Sequence, residues 1–218
     1  MARLGVLGGT FDPVHLGHLA VGRTAAAALA LDALRLVPSR VPPHRSTGPH
    51  VSTYHRFAMA ALAALDEPGW TVSDMELRRD GPSYSFDTLT ALAAEGWAAT
   101  QIFFLIGADA IADIATWSRY PAVLDLAHFA VVTRPGTTHD DVRARVPALG
   151  HRLVTAADLS TRTTPGIVLL NADTPDISST DIRARAARGV SLTGLVTGPV
   201  EQYIRRHRLY AGEAPPVG

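Results

Sequence analysis

The chain has 218 residues, is 47% hydrophobic, and balances 20 basic against 20 acidic residues for no formal net charge at pH 7. That length can bury a sizeable core as one domain, and the charge balance supplies no global field for nucleic acid or a membrane surface. Cysteine is absent and every basic residue is arginine, so disulfides, thiolate metal sites, a cysteine nucleophile and a catalytic lysine are all excluded.

From the amino end, short apolar runs alternate with Ala-rich stretches of helical spacing, the pattern of α/β proteins. Strands are expected near 3–7, 34–37, 71–74, 101–106, 128–132, 152–155 and 167–170. Helices are expected near 17–30, 55–65, 85–95, 118–125, 139–146, 180–188 and 199–207. "IFFLI" and "FAVV" are apolar throughout, as strands covered on both faces are. The fold class is therefore α/β, with an open, doubly wound, mostly parallel sheet. Such sheets bind ligands at the carboxyl ends of their strands. The glycines after "RLGVL", the "GAD" after "IFFLI" and the "TRPG" after "FAVV" would then gather on one edge.

Residues 1–210 read as one domain and 211–218, "AGEAPPVG", as a frayed tail. The long loop 39–53 is Pro-rich, carries His and Arg, and suits a flap. No signal pattern opens the chain, and the nearest approach to a membrane span is interrupted by Arg23 and Asp32. A cytoplasmic protein is expected, without a nucleic-acid or membrane partner; homo-oligomer formation is left open.

The stretch "GGTFDPVHLGHLA", residues 8–20, carries the first chemical signal. Gly8 and Gly9 at a strand end allow a close ligand approach that a side chain would block. The pattern turns helical at Gly17, so His15 and His18 sit around a helix start, where unpaired amides and the dipole favour an anion. Three readings compete: phosphate binding, a histidine filling a turn, and metal ligation. "HLGH" lacks the "HExxH" pattern and has no third ligand close in sequence, which counts against a metal. The spacing also matches neither "GxGxxG" nor "GxxxxGK[ST]". A second candidate anion site is "ISSTDIRARAARG", residues 177–189. Ser178, Ser179 and Thr180 precede a helical run with Arg183 one turn in; hydroxyls, amides and an arginine fork suit polyphosphate, although plain helix capping explains the hydroxyls equally well.

Taken together, "GGTFDPVHLGH" and "ISSTDIR" resemble the nucleotidyltransferase superfamily marked by H-x-G-H and a late S-S-T-x-I-R. Within it the chain most resembles the bacterial nicotinate-mononucleotide adenylyltransferases. The likeness runs through "VPPHR", "YHRFAMAALA", "ELRRDGPSYSFDTL", "FFLIGADAIADIATW", "VVTRPG" and "VEQYIRRHRLY". It implies a Rossmann-like fold and adenylyl transfer from ATP to nicotinate mononucleotide, giving the deamido dinucleotide and pyrophosphate. It implies catalytic roles for His15, His18 and Arg183 on the phosphates. It places Gly8, Gly9, Thr10, Phe11, Gly107, Asp109, Ser178, Ser179 and Thr180 with ATP, and His44, Arg45, Tyr84, Ser85, Trp117 and Arg134 with the mononucleotide. Trp117 would stack on the pyridine ring, and backbone amides around Tyr84 and Ser85 would receive its carboxylate. Mg²⁺ would arrive on the ATP phosphates, with few protein ligands. Two positions depart from the family pattern: Arg45 stands where a lysine is common, and Ser85 where a threonine is. The rival enzyme reading is another adenylyl- or cytidylyltransferase, such as one acting on phosphopantetheine. The rival from a different class is a nucleotide sensor without catalysis.

Overall fold

The computed structural model describes residues 1–43, 48–133, 138–172 and 174–211. Among the described residues, seven strands form one sheet: β1 (Leu4–Gly9), β2 (Ala33–Pro38), β3 (Trp70–Val72), β4 (Ile102–Gly107), β5 (His128–Thr133), β6 (Leu153–Val154) and β7 (Ile167–Asn171). Their order across the sheet is β3-β2-β1-β4-β5-β7-β6 and every pairing is parallel. The helices are α1 (Leu16–Leu29), α2 (Thr53–Ala64), α3 (Ser85–Ala94), α4 (Ala108–Ala112), α5 (His139–Arg145), α6 (Ser179–Ala187) and α7 (Gly198–Arg206).

The apolar runs of the central strands follow from this layering. Side chains alternate between sheet faces, so both parities must be apolar when both faces are covered. Leu4, Val6, Ile102, Phe104, Phe129 and Val131 pack in one cluster with Leu89 and Leu92 of α3, Ile111 of α4 and Val142 of α5. Leu7, Phe103, Leu105, Ala130 and Val132 pack in the other with Leu19 and Leu29 of α1, Met59 of α2 and Val200 and Ile204 of α7. Each Leu, Ile, Val, Phe or Met among these side chains, taken from water, contributes about 1.5–3 kcal/mol before chain entropy is counted. His128 is buried at the start of β5, and burial pushes its imidazole below the usual histidine range. The Gly166 N–H donates to its Nδ1 at 2.9 Å, which satisfies one ring nitrogen of this core histidine.

Six of the seven expected helices form within a residue or two of the expected bounds. The expected helix over 118–125 does not. Pro121 lacks the N–H a helix interior needs and disfavours helical geometry in the residue before it. Arg119 turns into the left-handed region, φ 61°, and only a short 3₁₀ turn, Ala122–Asp125, follows. The five-residue α4 was not among the expected elements, and the outer strands β3 and β6 are shorter than their apolar runs suggest.

Gly22 shows how closely α1 lies on the sheet edge. A Cβ there would collide with the Trp70 ring, 2.7 Å from Cζ2 and closer still to Cη2. Gly22→Ala should therefore lower stability by about 1–2 kcal/mol despite alanine's better helix propensity. A thermal melt reads this as a fall of several degrees, at roughly 2–4 °C per kcal/mol for a chain of this size. An unchanged or higher Tm would mean that the indole swings aside freely.

Candidate functional site

The chain order of the sheet reverses between β1 and β4, the place where an open parallel sheet leaves a crevice at its carboxyl edge. A cavity of about 330 Å³ opens there, walled by Gly8, Gly9, Thr10, His18, Gly107 and Trp117 among others. A side pocket of about 110 Å³ continues past Trp117 along Tyr84, Ser85 and Phe86. The structure thus gathers the two glycine-marked strand ends, one of the two histidines and the indole around one crevice.

His15 caps α1 in extended geometry, φ −148°, and His18 is the third helical residue after it. The His15 N–H donates to His18 Nδ1 at 3.2 Å. A neutral imidazole that accepts at Nδ1 carries its proton on Nε2, so His18 is oriented as an Nε2 donor. Its ring lies 3.7 Å from that of His15 and meets the Phe11 ring edge-on at 5.1 Å. Glycines make this packing feasible. A Cβ at Gly17 would sit 3.0 Å from His15 Nδ1, and one at Gly9 would sit 2.9 Å from the Phe11 ring. Phe11 is 1% exposed with φ 48°; its ring belongs to the core and braces His18.

The second helix start meets the first through the loop between β1 and α1. Ser178 caps α6, accepting the Asp181 N–H at 3.1 Å. Ser179 Oγ donates to the Pro13 carbonyl at 3.0 Å. Arg183 donates from Nη1 to the Asp12 carbonyl at 2.8 Å and from Nη2 to Thr180 Oγ1 at 3.1 Å. So the helix-capping reading holds for Ser178, while Ser179 and Arg183 bridge to the loop that carries His15. Two helix N-termini and an arginine converge on one short segment, a donor-rich environment suited to phosphate oxygens.

On the opposite wall, Tyr84 is the cap of α3 and Ser85 its first residue. The Tyr84 N–H is taken up by the Pro82 carbonyl at 3.1 Å, which leaves the amides of Ser85 and Phe86 as the helix-start donors. Trp117 is held edge-on by Phe104 with ring centroids 6.2 Å apart. Asp109 is not a helix cap, since Gly107 caps α4; its carboxylate stands in solvent 3.5 Å from Arg145 Nη1. His44, Arg45 and Arg134 lie outside the described residues.

Several residues of the site escaped the sequence reading. Arg56 of α2 is wholly buried and donates to the Thr10 carbonyl at 2.7 Å. Its signal was present in the spacing: Arg56, Met59, Ala60 and Ala63 form one buried stripe. Ser39 lines the cavity with a buried hydroxyl that makes no hydrogen bond among the described residues. Glu76 also lines it, 6% exposed, with Thr88 Oγ1 donating at 2.5 Å. Burial pushes the Glu76 carboxyl up, opposed by hydrogen bonds from Thr88 and Ser83 and by the nearby Arg79 guanidinium. Loop 39–53 is tied down at both described ends, Arg40 N–H to Ser83 Oγ at 2.8 Å and His50 N–H to Asp12 at 2.7 Å.

Comparison with known proteins agrees with this geometry. The cytidylyltransferase-like family model matches residues 6–185. A "Probable nicotinate-nucleotide adenylyltransferase" of Symbiobacterium thermophilum is 42% identical over 212 residues, 96% of each chain. One of the same name from Chromobacterium violaceum is 42% identical over 212 residues, 96% of this chain and 99% of its own. Among solved structures, the Plasmodium falciparum nicotinic acid mononucleotide adenylyltransferase complexed with NaAD superposes with a TM-score of 0.71. At 16% identity over 96% of this chain and 98% of that one, this is a likeness of fold.

Proposed function

The chain belongs to the cytidylyltransferase-like family, and from that premise we propose that it transfers the adenylyl group of ATP to nicotinate mononucleotide. The products are nicotinate adenine dinucleotide and pyrophosphate, and the cell compartment is the cytoplasm. Residues 1–210 act as one nucleotidyltransferase domain. The observation that carries the reading is the junction of the two anion-binding helix starts, Ser179 to Pro13 and Arg183 to Asp12, beside a crevice that also holds Trp117.

In this mechanism a phosphate oxygen of the mononucleotide attacks the α-phosphorus of ATP. A new P–O bond forms as the bond to the bridging α–β oxygen breaks, and pyrophosphate leaves with the electron pair. The attacking group is already an anion, so the protein supplies positioning and charge stabilisation rather than a covalent nucleophile. His15, His18 and Arg183 stabilise charge on the transferring phosphates, with Ser179, Thr180 and the amides of Gly9 and Thr10 around them. Nitrogen and hydroxyl donors of this kind fit phosphate oxygens rather than a hard cation, so Mg²⁺ would be held by the triphosphate itself. When bound there it neutralises phosphate charge. Trp117 stacks on the pyridine ring, and the Ser85 and Phe86 amides receive its carboxylate. His44, Arg45 and Arg134 are assigned to the mononucleotide on resemblance.

The acceptor is tested by pyrophosphate release with ATP and Mg²⁺, offering nicotinate mononucleotide, nicotinamide mononucleotide and 4′-phosphopantetheine in parallel. A carboxamide turns an NH₂ toward the α3 amides and leaves donors unpaired. The expected result is a kcat/KM for the nicotinate compound at least about tenfold above that for the amide. Turnover with phosphopantetheine alone, or with no acceptor, would overturn the assignment.

A further inference from the structure

The last described turn closes on the loop between β1 and α1 from the far end of the sequence. Asp12 is 2% exposed and is gripped from three directions. Its Oδ2 accepts the His50 N–H at 2.7 Å and lies 3.2 Å from His50 Nδ1. Its Oδ1 accepts the Tyr210 hydroxyl at 2.8 Å, and its carbonyl accepts Arg183 Nη1 at 2.8 Å. To deliver that phenol the chain places two non-glycine residues, Arg208 at φ 50° and Tyr210 at φ 62°, in the left-handed region. Side-chain-bearing residues persist there only where surrounding contacts over-determine them. Leu209 between them is buried in the main core cluster and anchors the segment. Burial, then the neighbouring Asp12 carboxylate, holds the Tyr210 hydroxyl far above the usual tyrosine range, against a weaker pull from Arg183 and Arg56. The hydroxyl is the donor in its 2.8 Å bond to Asp12.

We propose that Tyr210 is a positioning residue of the triphosphate site: its hydroxyl holds the Asp12 carboxylate and so sets the Asp12 carbonyl on which Arg183 is seated. Without that bond a buried carboxylate oxygen loses its donor and turns to find another. The Asp12 peptide moves with it, the Arg183 fork loses its acceptor, and the segment leading to His15 and His18 loosens. The side pocket at Ser85 and Trp117 shares none of these bonds. The damage should be confined to ATP.

Tyr210→Phe tests this, because it removes one oxygen and keeps the ring. Equilibrium titration with ATP and Mg²⁺ should show a Kd raised about tenfold, the scale of a hydrogen bond to a charged group. In steady-state transfer the KM for ATP should rise in step while the KM for nicotinate mononucleotide stays within about twofold. In an Arg183→Lys background the same change should add less than about twofold, since both act through one contact. A lower Tm with unchanged ATP affinity would reduce Tyr210 to a structural role and overturn the proposal, as would full additivity with Arg183→Lys. The kinetic arm alone rests on the reaction proposed above. Wild-type protein that binds ATP but makes no dinucleotide would sink that reaction, and the titration would still decide on Tyr210. Wild-type protein that fails to bind ATP would overturn both.

Discussion

His18→Ala should lower kcat for adenylyl transfer by about 10²–10³-fold, the cost of removing one donor aimed at charge that builds in a transition state. His18 Nδ1 accepts the His15 N–H at 3.2 Å, which puts the ring proton on Nε2, and the residue lines the crevice. Phe11 and His15 hold the ring from two sides, so the donor is in place before substrate arrives. Interactions of this kind strengthen as charge moves onto the α-phosphate and the leaving pyrophosphate, so the loss should fall mainly on kcat. ATP affinity should change only several-fold. His18→Gln extends an amide toward the same region and should recover part of the rate. Single-turnover and steady-state rates of pyrophosphate release measure both variants. A His18→Ala enzyme with kcat within about threefold of wild type would remove His18 from the mechanism.

Arg56→Leu should destabilise the fold by about 3–5 kcal/mol, the largest stability effect expected of a single change near the site. Arg56 is wholly buried; Nη1 donates to the Thr10 carbonyl at 2.7 Å and Nη2 reaches the Arg40 carbonyl at 3.4 Å. Leucine fills only part of the volume and leaves both part-buried carbonyls without that donor. For a chain of this size the loss corresponds to a Tm lower by roughly 10 °C. Because Thr10 and Arg40 lie on the two loops that wall the crevice, activity should fall even well below the new melting point. Arg56→Lys keeps the charge but not the fork, and should lie between leucine and wild type. Calorimetry beside a rate measurement at low temperature checks both parts. A Tm within about 2 °C of wild type would show that the buried guanidinium contributes little to stability.

The helix starts were legible because their signals are local. A helix start, its cap and its dipole are set within one turn, so "HLGH" and "SSTDIR" mark two helix starts, the places proposed here for phosphate, without knowledge of the fold. Trp117 and Ser85 were legible only through resemblance, and the structure brings them together in one side pocket. Phe11 and Tyr84 show the limit. Each belongs to a motif placed with a ligand, yet the Phe11 ring is core and the Tyr84 amide is spent on Pro82. Motif membership places a residue near a site; only packing decides which of its atoms face it.

The sequence alone determined the class of fold, the strands that carry it and the two helix starts, since periodicity and capping act over a few residues. Only the tertiary structure decided how those helix starts meet and what holds them. The bonds responsible join positions far apart in the chain: Arg56 to Thr10 across 46 residues, Arg183 to Asp12 across 171 and Tyr210 to Asp12 across 198. A lone arginine, aspartate or tyrosine in a row of letters reads as a solvated side chain. Burial turns it into an obligatory hydrogen-bonding group, and which partner satisfies it depends on segments that meet only after the sheet has formed.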